Sequence, residues 1–268
     1  THLGCRRTEI SKPPTGVVIP LNVIIEREPI TILVSEKGWI RSQKRLVNKT
    51  SELKYKEGDC GRFMLHAENT DKLLIFGTNG RFYTLGCDKL PSGRGHGEPL
   101  RLVIDIPEGH DVLAMFIHKP SNLNEGEGKK MVVASETGRG FIVEEDSLIA
   151  QTRNGKQIIN LGNSEEAQRA IIIGPGHDHL AVLGTNRKLL IFPLSELPTM
   201  NRGRGIILQR YAKGGLSDIT TLKLSEGLSW RSGQQGKRTK SDIKKWIGKR
   251  AQAGLVVPKG FSRSNKFN

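Results

Sequence analysis

The sequence predicts an all-β, propeller-like fold of about five four-stranded blades, the last of them degenerate. Three observations predict it. A short motif recurs along the chain, each copy has the pattern of a tight β-hairpin, and the copies share an underlying period of about 42 to 49 residues, the length of one blade.

The first copy runs from Thr31 to Val34 and on through Ser35-Glu36-Lys37-Gly38-Trp39. The second is Leu73-Leu74-Ile75-Phe76-Gly77-Thr78-Asn79-Gly80-Arg81-Phe82. A looser third copy spans Met131 to Gly140, and the fourth is Leu180-Ala181-Val182-Leu183-Gly184-Thr185-Asn186-Arg187-Lys188-Leu189. Each is an apolar run, a turn carrying Gly or Asn, and a second apolar run. Taking Gly38, Gly80, Gly138 and Arg187 as anchors, the spacings are 42, 58 and 49 residues, and the longest holds a polar insertion at Ser121 to Gly128. Placing Gly236 at a fifth anchor gives a degenerate copy within the basic C-terminal stretch, partly helical around Ser241 to Ile247. A second landmark keeps register, with Leu90, Leu148 and Leu197 ten residues beyond their anchors and Trp246 in the fifth copy.

Basic, glycine-containing loops follow the landmarks: Gly93 to Gly97, Arg153 to Lys156, and Arg202 to Gly205. Beyond them lie strand-like runs, Leu102 to Ile106 with Val112 to Ile117 and Gln157 to Leu161 with Ala170 to Ile173, giving about four strands per repeat. A helical solenoid would need apolar residues at i, i+3, i+4 and i+7, and the runs instead are dense in Val, Ile and Leu and broken by Gly.

The 268 residues carry 42 Lys plus Arg against 27 Asp plus Glu, a formal charge of +15. Such an excess favours a polyanionic partner, nucleic acid before acidic membrane. It is uneven: residues 229–268 hold eleven basic side chains and one acid, Asp242. A solvated, disordered basic end is the bland alternative for that stretch. No apolar run reaches the roughly 18 residues a bilayer span needs, and no signal segment opens the chain, so a soluble intracellular protein is expected. Cys5, Cys60 and Cys87 are odd in number and scattered, which argues against a disulfide framework and a zinc site. The start at Thr1 suggests a piece of something longer.

Three strings carry a resemblance: Glu28-Pro29-Ile30-Thr31 leading to Ser35-Glu36-Lys37-Gly38-Trp39-Ile40-Arg41-Ser42, then Leu53-Lys54-Tyr55-Lys56-Glu57-Gly58-Asp59, then Leu90-Pro91-Ser92-Gly93-Arg94-Gly95-His96-Gly97-Glu98-Pro99-Leu100. On these the chain resembles the gyrase A-type β-pinwheel family, and within it the C-terminal domain of the A subunit of bacterial topoisomerase IV, over most of residues 28–225. His2 to Ile10 resembles the string that closes the family's catalytic core, although Cys5 stands where an acidic residue is usual. The resemblance therefore divides the chain into residues 1–27, the end of the catalytic core and a linker, and residues 28–268, the pinwheel. Gyrase itself is marked by a Gln-, Arg- and Gly-rich box in its first blade. Arg41-Ser42-Gln43-Lys44-Arg45 lacks its glycine run, which favours topoisomerase IV.

No chemistry is read into this chain. Tyr55, Tyr83 and Tyr211 lack the surroundings of a cleavage tyrosine, and Gly126-Glu127-Gly128-Lys129-Lys130 lacks the G-x-x-x-x-G-K-[ST] pattern of a phosphate loop. His177-Asp178-His179 reads as a polar turn rather than a metal site. The recurring loop arginines are different, because a propeller carries equivalent repeat positions to one side. Arg94, Arg153, Lys156, Arg202, Arg204 and Arg250 are expected to line an edge, joined from neighbouring turns by Arg41, Lys44, Arg45, Arg139, Arg187, Lys188, Lys237 and Arg238. Adjacent glycines would let the backbone approach phosphate. The resemblance implies duplex DNA bent or wrapped around this edge, in a cytoplasmic, nucleoid-associated enzyme. It also implies partners in the rest of the A subunit and in the B subunit that carries the ATPase, with ATP and Mg2+ used by the holoenzyme and no cofactor or membrane bound by this chain. Two alternatives stay open: a propeller scaffold for acidic proteins or RNA, and an enzyme whose longer parent supplies the chemistry.

Overall fold

Runs such as Leu73-Leu74-Ile75-Phe76 are apolar at every position, which suits a strand buried on both faces, since successive side chains point to opposite sides. The computed structural model, which describes residues 26–44, 46, 53–92, 95–119, 128–231 and 236–268, shows that arrangement. Leu73 and Ile75 enter a core shared with Ile32, Val34 and Ile40 of the sheet before, while Leu74 and Phe76 enter a second core with Val133, Phe141 and Val143 of the sheet after. Four such cores join five sheets in succession. Among the described residues, none of these cores joins the first sheet to the last.

The first sheet is built on the hairpin β1 (Pro29–Ser35) and β2 (Trp39–Gln43), with β3 (Gly61–Glu68) beside β1. The second sheet takes the hairpin β4 (Lys72–Gly77) and β5 (Arg81–Gly86), and only then does the chain return to the first sheet and pair β6 (Glu98–Pro99) with β2. The one-turn helix α1 (Leu100–Val103) and β7 (Val112–His118), which pairs with β4, come next.

The same exchange repeats. The third sheet has β8 (Lys130–Ser135), β9 (Arg139–Glu144) and β11 (Ala167–Ile172), and β10 (Lys156–Gln157) goes back to β5. The fourth sheet has β12 (His179–Gly184), β13 (Lys188–Pro193) and β15 (Leu216–Leu222), and β14 (Ile206–Ile207) goes back to β9. The fifth is the bare hairpin β16 (Leu228–Arg231) and β17 (Lys237–Lys240), after which β18 (Leu255–Val256) goes back to β13. Among the described residues the result is four four-stranded antiparallel sheets and a two-stranded fifth. The basic C-terminal stretch is thus folded rather than a solvated tail. Neighbouring strands β3, β7, β11 and β15 touch in turn and face the axis, which leaves the two-residue return strands at the perimeter.

Each anchor sits at the same point of its hairpin. Gly38, Gly80, Gly138 and Arg187 all have φ between +59° and +81°, and Gly236, just before β17, has φ +75°. Their amides donate to Ser35, Gly77, Ser135 and Gly184 carbonyls, each at 3.0 Å. The anchor carbonyls then accept from the residues that follow the return strands: Leu100 on Gly38, Ile158 on Gly80, Leu208 on Gly138 and Val257 on Arg187. The Leu landmarks of the second, third and fourth repeats are buried, Leu148 at 0% exposure, and Trp246 fills their place in the last at 2%. The helix expected around Ser241 to Ile247 is a 3-10 turn over Lys244–Trp246.

Two strand expectations need correction. Leu102 to Ile106 is not a strand; α1 occupies its start, with Leu100 buried and Leu102 65% exposed. The run from Gln157 to Leu161 joins a sheet only at Lys156–Gln157, and beyond it Ile159 makes an isolated parallel bridge to Gly203. The polar insertion lies largely outside the described residues, as does everything before residue 26.

Candidate nucleic-acid interface

The return segments that carry the basic loops stack on one another around the perimeter. The amide of Asp105, just after the first return, donates to the carbonyl of Arg153 in the second (3.0 Å). Asn160 of the second donates to Gly203 of the third (2.8 Å), and Arg210 of the third donates to Gln252 of the fourth (3.1 Å). Equivalent loops therefore follow one continuous line, because each return strand is built onto the sheet before it.

Along that line Arg153, Arg202 and Arg204 are exposed. Arg153 donates to the Leu102 carbonyl and lies 3.7 Å from Asp105; Arg202 Nε donates to Asn160 Oδ1 at 3.0 Å; Arg204 is 3.9 Å from Glu165. These contacts hold the side chains against the surface, yet the guanidinium groups stay wet, with Arg153 and Arg204 side chains 61% and 60% exposed. A guanidinium has five N–H donors, so one or two surface bonds leave others for phosphate. Glu165 itself is held below the ordinary carboxylate range. Burial, the largest single influence, pushes it up, but hydrogen bonds from Thr137, Ser135 and the Gly162 amide, with the charge of Arg204, outweigh it.

Other expected residues also make contacts within the fold. Arg41 is 6% exposed, with its guanidinium donating to the Gly95 and Lys54 carbonyls, both at 2.7 Å, so it ties loops together and presents no charge to a partner. Lys156 donates its ammonium to the Ser147 carbonyl. Arg139 reaches the Gly205 carbonyl (3.4 Å), Arg187 the Ser262 carbonyl (3.2 Å) and Arg250 the Ile207 carbonyl (2.6 Å). Each ties a neighbouring segment to its own, and Arg139 and Arg250 fasten return segments. Lys44 is exposed and paired with Glu28 at 3.0 Å, Lys188 is half-buried, and Lys237 and Arg238 are exposed on β17. Arg45 and Arg94 lie outside the described residues.

Arg81 occupies the same repeat position as Arg139 and was not singled out from the sequence. It donates to Gln157 Oε1 (2.9 Å) and the Asn154 carbonyl (2.8 Å), and the Gly-Arg pair after the second anchor was the available signal.

The loop glycines also need a different account. Gly97, Gly155 and Gly205 stand immediately before return strands with φ of +89°, +71° and +73°, and a Cβ on them would lie 2.2, 2.8 and 2.7 Å from the carbonyl oxygens of Ile40, Phe82 and Gly140. Gly254 repeats the arrangement against Leu189. Their close approach is to the preceding sheet.

The tyrosines hold no reactive arrangement. Tyr83 is wholly buried, and Tyr211 has its phenol driven up by burial with its hydroxyl unpartnered. Tyr55 is half-buried, its phenol raised by burial against the opposing charge of Arg41. His177 hydrogen-bonds Thr221 (2.7 Å) and His179 bonds Asp178 (2.8 Å). Among the described residues no three His, Cys, Asp or Glu side chains gather as a metal site, and no helix is long and apolar enough to cross a membrane.

Small sheets set around an axis, the first four completed by a strand from beyond the next hairpin and ringed by basic loops, define a β-propeller module of the strand-exchanged, pinwheel kind. Residues 71–119, 129–173 and 178–223, just over half of the chain, match the family described as the DNA gyrase C-terminal domain, beta-propeller. The chain belongs to that family. It is 46% identical over 255 residues to the DNA topoisomerase 4 A subunit of Caulobacter vibrioides, covering 95% of this chain and 32% of the relative. It is 38% identical to the same protein of Rickettsia bellii, covering 100% and 35%. The chain thus spans about a third of the length of these curated relatives. Among solved structures, the E. coli ParC C-terminal domain superposes with a TM-score of 0.74 at 28% identity, covering 88% of this chain and 96% of that one. The DNA gyrase A C-terminal domain shares the fold, with a TM-score of 0.60 at 14% identity.

Proposed function

We propose that this chain binds duplex DNA along its perimeter and bends or wraps it, as the DNA-presenting domain of a topoisomerase IV A subunit. The observation that carries this reading is the continuous line of stacked return loops with exposed Arg153, Arg202 and Arg204. Side chains of this type contact phosphates, release counterions and read little sequence, and an arc of them favours a curved duplex.

In the assembly proposed, the remainder of the A subunit supplies strand cleavage and the B subunit the ATPase, with ATP and Mg2+ held outside this chain. Its place would be on cytoplasmic, nucleoid DNA, where it would present crossings for decatenation and supercoil relaxation. Family membership and the topoisomerase 4 relatives support that assignment.

A single-stranded or RNA partner fits less well. Trp230 and Trp246 are 5% and 2% exposed, and Trp39 is capped by the Lys56 ammonium 3.1 Å from its ring centroid, so the tryptophans offer no open stacking face. Competition between duplex and single-stranded DNA for the chain tests the reading: duplex should win, with a steep salt dependence. Preference for the single strand, or relaxation of supercoiled DNA by this chain alone, would overturn it.

A further inference from the structure

The same stretch of each repeat can be compared for charge, because the anchors fix its register. The fourteen residues after each anchor carry net charges of +3 (39–52), +2 (81–94), −2 (139–152), 0 (188–201) and +6 (237–250). In the third and fourth repeats this stretch holds a buried strand, Phe141-Ile142-Val143 or Leu189-Leu190-Ile191-Phe192. In the fifth it reads Lys237-Arg238-Thr239-Lys240, and β17 has no return strand beside it.

Charge on an open edge strand is a common defence against unwanted pairing. That accounts for β17. It does not account for Lys244, Lys245 and Lys249, which follow on the 3-10 turn and beyond and are all exposed. Elsewhere basic side chains meet acids: Lys44 with Glu28, Arg62 with Asp111, Arg153 with Asp105, Arg169 with Asp218. Among the described residues no acidic side chain lies within 4 Å of the ammonium groups of Lys237, Lys240, Lys244, Lys245 or Lys249. Trp246 keeps two of them together, with the Lys245 and Lys240 nitrogens 4.3 and 5.9 Å from its ring centroid, and its own N–H donates to the Val256 carbonyl (2.8 Å). A buried, hydrogen-bonded tryptophan under lysines is a scaffold for charge, not a base-stacking surface.

We propose that Lys237, Lys240, Lys244, Lys245 and Lys249 form a phosphate anchor at the terminal end of the perimeter, which grips duplex DNA independently of the loop arginines. This rests on the perimeter reading and adds a direction to it. DNA engages the fifth sheet first, and the weaker, acid-tempered arc over the third and fourth repeats then sets its curve.

The test compares the unaltered chain with three variants: Lys237, Lys244, Lys245 and Lys249 all →Gln, the same four →Arg, and Arg153, Arg202 and Arg204 all →Gln. Binding is read by fluorescence anisotropy against salt, with long duplexes and with a short one of about ten base pairs that cannot span the perimeter. Four lost contacts should lower the salt slope by about 3.6 and weaken binding on the order of 10³-fold at about 0.1 M salt, with the Arg variant retaining both. The short duplex should lose far more affinity in the Gln lysine variant than in the arginine variant. Short-duplex binding that survives in the Gln lysine variant, or loss equally deep in the Arg variant, overturns the anchor and leaves the perimeter reading standing. An unaltered chain that ignores every duplex overturns both.

Discussion

Replacing Gly205 with alanine should unfold the protein at a markedly lower temperature than replacing Gly38, although both residues have nearly the same backbone, φ +73° and +77°. Alanine in the left-handed region costs about 1–2 kcal/mol, and at Gly38, where no atom lies within 4 Å of the new Cβ, that is the whole expected cost. At Gly205 the Cβ would lie 2.7, 2.8 and 2.9 Å from the oxygen, carbonyl carbon and Cα of Gly140, all backbone. No rotamer relieves this, so the return strand must move outward. That movement threatens the Ile206↔Gly140 pairing, the Leu208 amide bond to the Gly138 carbonyl and the Arg139 bond to the Gly205 carbonyl. At about 1 kcal/mol for each of these three, added to the backbone cost, the total reaches about 4–5 kcal/mol. For a domain of this size each kcal/mol moves the midpoint by about 2–4 °C, so Gly38→Ala should lower Tm by a few degrees and Gly205→Ala by about 10 °C. Thermal melts followed by far-ultraviolet circular dichroism read both. Equal shifts would mean that only the backbone conformation matters and that the close seating of the return strand contributes nothing.

Reversing Arg153, Arg202 and Arg204 to Glu should weaken duplex binding far more than reversing Lys72, Lys119 and Lys223, and should lower the salt slope by about 0.9 for each lost contact; equal losses in both sets would sink the perimeter reading. Because Glu165 titrates below its unfolded value, its contribution to stability is present above the unfolded carboxylate pKa and is lost as pH falls through its lower folded value. Melts from neutral to acidic pH should therefore show a shallower decline in Glu165→Gln than in the unaltered chain, and parallel curves would refute this. Cys60 is exposed while burial, first, and the nearby Asp71 and Asp88 charges push the Cys87 thiol up to about 12. A thiol reagent at mildly alkaline pH should thus label Cys60 in the folded chain and reach Cys87 only on unfolding.

The hairpins were legible in the sequence because each couples an apolar run of strand length to a turn with φ above zero, a conformation that leaves Gly as the usual residue and Arg187 as the exception. The fifth anchor was legible for the same reason, even though β17 had lost its apolar pattern. The return strands were not, because two residues such as Lys156–Gln157 are too few to show a period of two. Missing them hid the purpose of Gly97, Gly155 and Gly205, whose neighbours are supplied by a strand more than fifty residues earlier. On the perimeter, repeat spacing placed Arg153, Arg202 and Arg204 on one line, and the structure leaves them exposed there. Spacing could not separate them from Arg41, because outward and inward arginines read alike until the loops that satisfy the inward one are in place.

The exchange of return strands also sets an order of assembly. None of the first four sheets can finish when its own hairpin has left the ribosome: the first waits for Glu98–Pro99, the second for Lys156–Gln157, the third for Ile206–Ile207 and the fourth for Leu255–Val256. A nascent chain therefore always trails an open edge one hairpin long, sealed by the next turn of synthesis. A stop codon between Leu222 and Leu255 would strand the fourth sheet with β13 uncovered, and the product would be a sticky, protease-sensitive fragment in place of a slightly shorter protein.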